Sequence, residues 1–209
     1  MDKPAHHLST REHWQHGASI GGAQAELDSF TVIRNYLPAD TWRVVRHPTD
    51  LQQIYYEYTY GANPSRYVPP EHPSFTGVWW DAASQTFLNA KNKFAMGGGC
   101  QPDCMIQHIA TGKKIYIECK NQGPKGNAHE RAAKYATPSI IAHVQKKLGV
   151  DYVPFAYLFT GAMVDDFQYV VELETTYGFA RDNLFLWKKE HPIEPLTRWL
   201  DETLLPLLR

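Results

Sequence analysis

Two β-type runs, residues 104–109 and 114–120, are joined by only four residues, Ala110-Thr111-Gly112-Lys113. So short a connection turns the chain back on itself as a hairpin, and it constrains the middle of the fold more than any other feature. In the second run Ile115, Ile117 and Cys119 alternate onto one face, and Tyr116, Glu118 and Lys120 onto the other. Ahead of the hairpin, Leu27, Phe30, Ile33 and Leu37 recur at helical steps and predict a helix over 21–37, stopped by Pro38-Ala39-Asp40. Asp50 is the expected N-cap of a second helix through Tyr55-Tyr56, and Val78-Trp79-Trp80 reads as a short buried strand. After the hairpin, a long helix is expected from Asn127 to about Leu148, opened by a capping-box-like pair of Asn127 and Glu130. Strands are expected over 154–160, 167–173 and 184–187, and a terminal helix over 192–208. Strands mixed with helices around an apolar central sheet place the fold in the α/β or α+β class.

Length and charge bound the function. A chain of 209 residues favours one domain, here 1–209. With 21 Lys+Arg against 22 Asp+Glu the net charge is −1, which argues against disorder, a polybasic membrane binder or a histone-like DNA binder. Yet residues 113–147 hold eight basic residues (Lys113, Lys114, Lys120, Lys125, Arg131, Lys134, Lys146 and Lys147) and only two acids, Glu118 and Glu130. The basic charge is gathered, not absent. No apolar run approaches the roughly 18 residues of a membrane span. The start of the chain lacks the apolar core of a signal peptide, and three cysteines are an odd number. The expectation is a soluble cytoplasmic protein.

One constellation carries chemistry. Alternation puts Glu118 and Lys120 on the same face of a strand, about 7 Å apart along it. Asp103, after Pro102, opens the strand that the hairpin pairs with it. Two carboxylates converging at a sheet edge suit a hard divalent cation such as Mg²⁺, which takes oxygen ligands. Such an ion lowers the pKa of an attacking water, and a neighbouring lysine can hold that water or offset phosphate charge. Downstream lies Gly126-Asn127-Ala128-His129-Glu130-Arg131. A helix starting at Asn127 offers free N–H groups to phosphate. Asn and Arg side chains can each make paired hydrogen bonds to purine edges, and Asn127 and Arg131 lie four apart on one face. A capped amphipathic helix with a solvated Arg131 explains the same residues without DNA.

Pro102-Asp103…Glu118-Cys119-Lys120 is similar to the signature of the PD-(D/E)XK nucleases, and the run at 126–131 closely resembles the recognition segment of the EcoRI/MunI group of restriction endonucleases. The likeness extends to Trp14, Gly22-Ala23, Thr137-Pro138 and Asp182-Asn183-Leu184-Phe185-Leu186-Trp187. The resemblance implies an α/β PD-(D/E)XK restriction-endonuclease-like fold, a central mixed β-sheet flanked by helices. It also implies a homodimeric type II enzyme that hydrolyses phosphodiester bonds at a palindromic duplex DNA site with Mg²⁺. Mn²⁺ is expected to substitute, and Ca²⁺ to support binding without cleavage. By the group's pattern Asp103 and Glu118 ligate metal, with the Cys119 carbonyl as an extra ligand, and Lys120 assists the nucleophilic water. Gly126, Asn127, Ala128 and Arg131 fall in the base-reading segment, and Glu130 orders the arginine. The group reads a central AATT and leaves four-base 5′ overhangs. A methyltransferase of the same specificity is the expected functional companion. The chain departs from the group at Lys125, where an arginine that reads the outer base pair is usual, and the loop before it is shorter. Lysine is a point charge and not a planar fork, so a four-base AATT site and a six-base site with other flanks both stay open.

Other features draw the eye. Cys100, Cys104, Cys119 and His108 lack a clean zinc-ligand spacing, and Cys119 reads as a small core residue. Gly97-Gly98-Gly99 lacks the Gly-Lys-Ser/Thr ending of a P-loop. His129, and the aromatics Tyr55, Tyr56, Tyr58, Tyr60, Trp79 and Trp80, are explained by packing. Two other functions compete with the restriction enzyme: a repair nuclease or junction resolvase, and a catalytically inactive DNA-binding module of the same fold.

Overall fold

The structure is a computed structural model and describes residues 10–60, 78–81, 83, 86–89, 101–123 and 137–209. Its centre is a five-stranded sheet of order β1-β4-β5-β6-β7. These strands are β1 (Trp42–Arg46), β4 (Cys104–His108), β5 (Lys114–Gln122), β6 (Phe155–Gly161) and β7 (Leu184–Leu186). The pairs β1/β4 and β4/β5 are antiparallel, whereas β5/β6 and β6/β7 are parallel, so the sheet is mixed. A separate antiparallel pair, β2 (Val78–Asp81) and β3 (Thr86–Asn89), includes the expected strand at Val78.

The β4–β5 hairpin forms where expected, with Gly112 at φ 73° in its turn, a conformation that costs a side-chain-bearing residue more than glycine. Alternation then divides the core in two. Cys104, Ile106, Ile115, Ile117, Cys119, Ala156 and Leu158 face α1 (Thr10–Tyr36) and the C-terminal helical segment. Met105, Tyr116, Phe155, Tyr157 and Phe159 face α2 (Asp50–Tyr60), α3 (Pro138–Leu148) and α4 (Phe167–Thr175). Helices thus cover both faces, as the parallel half of the sheet requires.

Four expectations need adjustment. The first helix begins at Thr10, well before residue 21. Asp50 opens α2, but its carboxylate accepts from Lys114 Nζ (2.6 Å) and Tyr116 Oη (2.9 Å), so it ties the helix to β5. The helix expected to run from Asn127 to Leu148 is not continuous, because Thr137 is extended (φ −67°, ψ 133°) and α3 starts at Pro138. The proline ring disfavours helical backbone at the residue before it. At its other end α3 closes on Gly149 at φ 67°.

The strand expected over 167–173 is instead the helix α4. Phe167, Tyr169, Val171 and Leu173 alternate like a strand, but Asp166 accepts from the Gln168 N–H as an N-cap, and Val170 and Leu173 are the buried pair at helical spacing. At the C-terminus the expected helix is present as α5 (Glu194–Trp199), then a π-helical stretch over Leu200–Leu204 and a 3₁₀ turn over Leu205–Leu208. Pro206 has no N–H to donate, so the regular ladder cannot pass through it.

Candidate active site

The sheet brings Asp103, Glu118 and Lys120 together. Pro102 is buried and sets Asp103 immediately ahead of β4. The β4/β5 pairing runs only from Lys114 to Ile117; beyond it β5 continues against β6 alone. At that point the Asp103 carboxylate takes over: its Oδ2 accepts the Cys119 backbone N–H at 2.7 Å. Lys120 Nζ lies 2.5 Å from Glu118 Oε1 and 3.7 Å from Asp103 Oδ2, and it donates to the Cys119 carbonyl at 3.2 Å. Glu118, expected on one strand face with Lys120, and Asp103, expected to open the paired strand, therefore both converge on the Lys120 ammonium group. The Cys119 side chain points the other way, packed with Ile115 and Ile117, and burial pushes its thiol well up. The Cys104 thiol is likewise buried and pushed up.

Burial and the neighbouring Glu118 push Asp103 up to about 7, against the smaller pull of Lys120 and the Cys119 N–H. Burial alone would lower the pKa of Lys120; Glu118 and Asp103 more than offset this and hold it above its ordinary value. Lys120 is accordingly a fixed cation at neutral pH, fitted to hold a water or an anionic oxygen and not to take a proton from it.

Glu118 is 4% exposed, and its Oε2 has no hydrogen-bond partner among the described residues. A buried carboxylate oxygen without a partner is costly unless something charged completes it. Together with Asp103 and the Cys119 carbonyl, it makes an all-oxygen donor set that fits a hard divalent cation.

A second group is one that sequence reasoning missed. Glu26 on α1 and His47, in the turn after β1, each place a ligand-type atom within 4.8 Å of Asp103 and of each other. Glu26 Oε1 accepts from Arg46 Nε (3.1 Å) and Nη2 (2.9 Å) and lies 3.0 Å from His47 Nε2. His47 is at φ 49°, and its N–H donates to the Asp103 carbonyl at 3.0 Å. Far apart in sequence, these residues carry no shared local signal.

Lys125, Gly126, Asn127, Ala128, Glu130 and Arg131 lie outside the described residues, as do His129, Cys100 and Gly97-Gly98-Gly99. The expected Asp182–Trp187 run is structural where it is described. Asn183 Nδ2 donates to the Phe155 carbonyl (2.8 Å), the Asp182 carbonyl accepts from Trp199 Nε1 (2.8 Å), and Trp187 is buried.

A family model described as "Type II restriction enzyme MunI" matches residues 3–96 and 84–209. The curated type II restriction enzyme MunI of Mycoplasma sp. is 24% identical over 210 residues, covering 94% of this chain and 95% of its own. A crystal structure of MunI restriction endonuclease in complex with cognate DNA aligns with a TM-score of 0.61 at 21% identity, over 97% of this chain and 100% of that one. That likeness matches the mixed sheet and flanking helices to the PD-(D/E)XK fold.

Proposed function

The chain belongs to the MunI family of type II restriction enzymes and is a DNA-hydrolysing endonuclease; on that premise we propose that it acts as a single domain that cuts a short palindromic duplex site at Asp103, Glu118 and Lys120. The observation that carries this reading is the convergence of both carboxylates on the Lys120 ammonium, beside the unpartnered Glu118 Oε2.

Asp103, Glu118 and the Cys119 carbonyl would hold Mg²⁺. When bound, that ion supplies the Lewis acidity that makes water a better nucleophile and offsets charge gathering on the phosphate. Lys120, kept cationic, orients the attacking water by donating to it and balances charge on the phosphoryl oxygens. The strand register holds these groups: Glu118 pairs with Tyr157 and Lys120 with Phe159, both deeply buried, so neither site residue can shift along β5 without unseating the core.

Recognition is assigned to the segment after β5. Asn127, Ala128 and Arg131 would read the inner bases of a central AATT, Glu130 would order Arg131, and Gly126 would let the backbone approach the DNA. Lys125 would contact the flank. A palindrome is matched by a two-fold protein, so a homodimer is the proposed working state. Cleavage would leave four-base 5′ overhangs, and a methyltransferase of the same specificity would protect the host's own sites.

The test is to incubate the protein with a long duplex and Mg²⁺ and sequence the cut ends. Discrete fragments with one palindromic site and a 5′ overhang are expected. Fragments with no common sequence would overturn the site-specific reading.

A further inference from the structure

Beyond the all-oxygen donor set stands the group formed by Glu26, His47 and Asp103. Three separate parts of the fold supply it: α1, the turn after β1, and the residue ahead of β4. We propose that Glu26, His47 and Asp103 form a second cation site, one that takes a nitrogen-accepting transition ion of the Co²⁺ or Zn²⁺ class in preference to Mg²⁺.

The geometry is close to what such an ion needs. Ligand atoms stand about 2.0–2.2 Å from such an ion, so two of them lie at most about 4.4 Å apart. The three donor atoms already lie within 4.8 Å of one another. Little movement is required.

The donor chemistry sets the preference. One imidazole and two carboxylates suit first-row transition ions, whereas Mg²⁺ prefers oxygen alone. Both hydrogen bonds from Arg46 fall on Glu26 Oε1, and no hydrogen bond reaches Oε2 among the described residues. Arg46 therefore fixes the orientation of the carboxylate and balances part of its charge while leaving one oxygen for a cation. His47 Nε2 already faces Glu26 at 3.0 Å. A cation held by His47 Nε2 and the free Glu26 Oε2 replaces the hydrogen that now bridges Nε2 to Oε1, and the imidazole proton moves to Nδ1, so no charge is stranded.

The backbone holds the arrangement. His47 adopts a left-handed φ of 49°, although the residue is not glycine and precedes Pro48. Its N–H is tied to the Asp103 carbonyl. Asp103 shares the Lys120 ammonium with the buried Glu118, so its carboxylate belongs both to this group and to the oxygen site proposed above.

The experiment uses the full chain without DNA, equilibrated with Co²⁺ in a large excess of Mg²⁺, with bound cobalt counted by metal analysis and its visible absorption recorded. One Co²⁺ per chain is expected in the wild type. It should be absent in His47→Asn, which tolerates the left-handed backbone, and in Glu26→Gln, with thermal melts confirming that both variants are folded. The readout is independent of cleavage: if the oxygen site proposed above were wrong, the cobalt count and its loss in the variants would stand. No cobalt bound to the wild type, or equal binding in both folded variants, would overturn the second site.

Discussion

Lys120 shows how environment assigns a role to a side chain. A lysine this far out of water would ordinarily lose its proton more easily, yet two carboxylates hold it charged. Replacing it with Ala is expected to reduce cleavage by about 10²–10³-fold or more, because a preorganised positive donor is lost from a dry site. Specific DNA binding in Ca²⁺, measured by filter binding, should survive in the same variant. Asp103 carries a pH signature. Its folded pKa of about 7 lies above the ordinary carboxylate value, so the native protein holds a proton that the unfolded chain releases. Its contribution favours the metal-free fold most below about pH 4 and is lost as pH rises through 7. Cation binding must displace that proton. Mg²⁺ affinity is therefore expected to rise with pH up to about 7 and then level off, and calorimetry in buffers of different ionisation enthalpy should detect proton release at pH 6.

At the level of elements, the hairpin and β6 were legible because alternation and a four-residue turn leave few other solutions. Ile115, Ile117 and Cys119 alternate onto one face and Tyr116 and Glu118 onto the other, and both faces are buried. The segment 167–175 misled because its aromatic and β-branched residues also alternate, while the deciding signal, Asp166 as N-cap, is a single residue outside the run. The break at Pro138 was visible in the sequence as a proline, but the helical pattern on either side masked it. Glu26 and His47 could not be found from spacing at all, since only the packing of α1 and the turn after β1 against Asp103 brings them together. The core that positions the site is the β5–β6 pair. Leu158, 1% exposed and paired with Cys119, should cost about 2–5 kcal/mol of stability when replaced by Ala. Urea melts would read this, and cleavage measured at a temperature where the variant is still folded should fall less than for Lys120→Ala.

For the whole molecule, the near-zero net charge conceals a basic stretch over residues 113–147. Non-specific affinity is expected to fall steeply with salt, by a slope of about 0.9 per phosphate neutralised. Arg131→Ala should cost about 1–3 kcal/mol at one base position, whereas loss of a phosphate contact would weaken all sequences alike. Competition binding against single-base variants of the site separates the two outcomes. Replacing Lys125 is expected to change preference only outside the central four base pairs.

The Asp103 carboxylate accepts the Cys119 N–H at the point where β4 stops pairing with β5. Its oxygen is thus part of the scaffold as well as of the proposed cation site, since a buried strand N–H left without an acceptor is costly. This bears on how such an enzyme can decay. A descendant released from any need to cut DNA could shed Lys120 together with Glu118, the buried carboxylate that it neutralises, but position 103 would still be held to a side chain bearing an oxygen. Asparagine is the substitution the backbone would accept. The first trace of a lost nuclease in this lineage should therefore be sought as a paired change at positions 118 and 120, with position 103 among the last to drift.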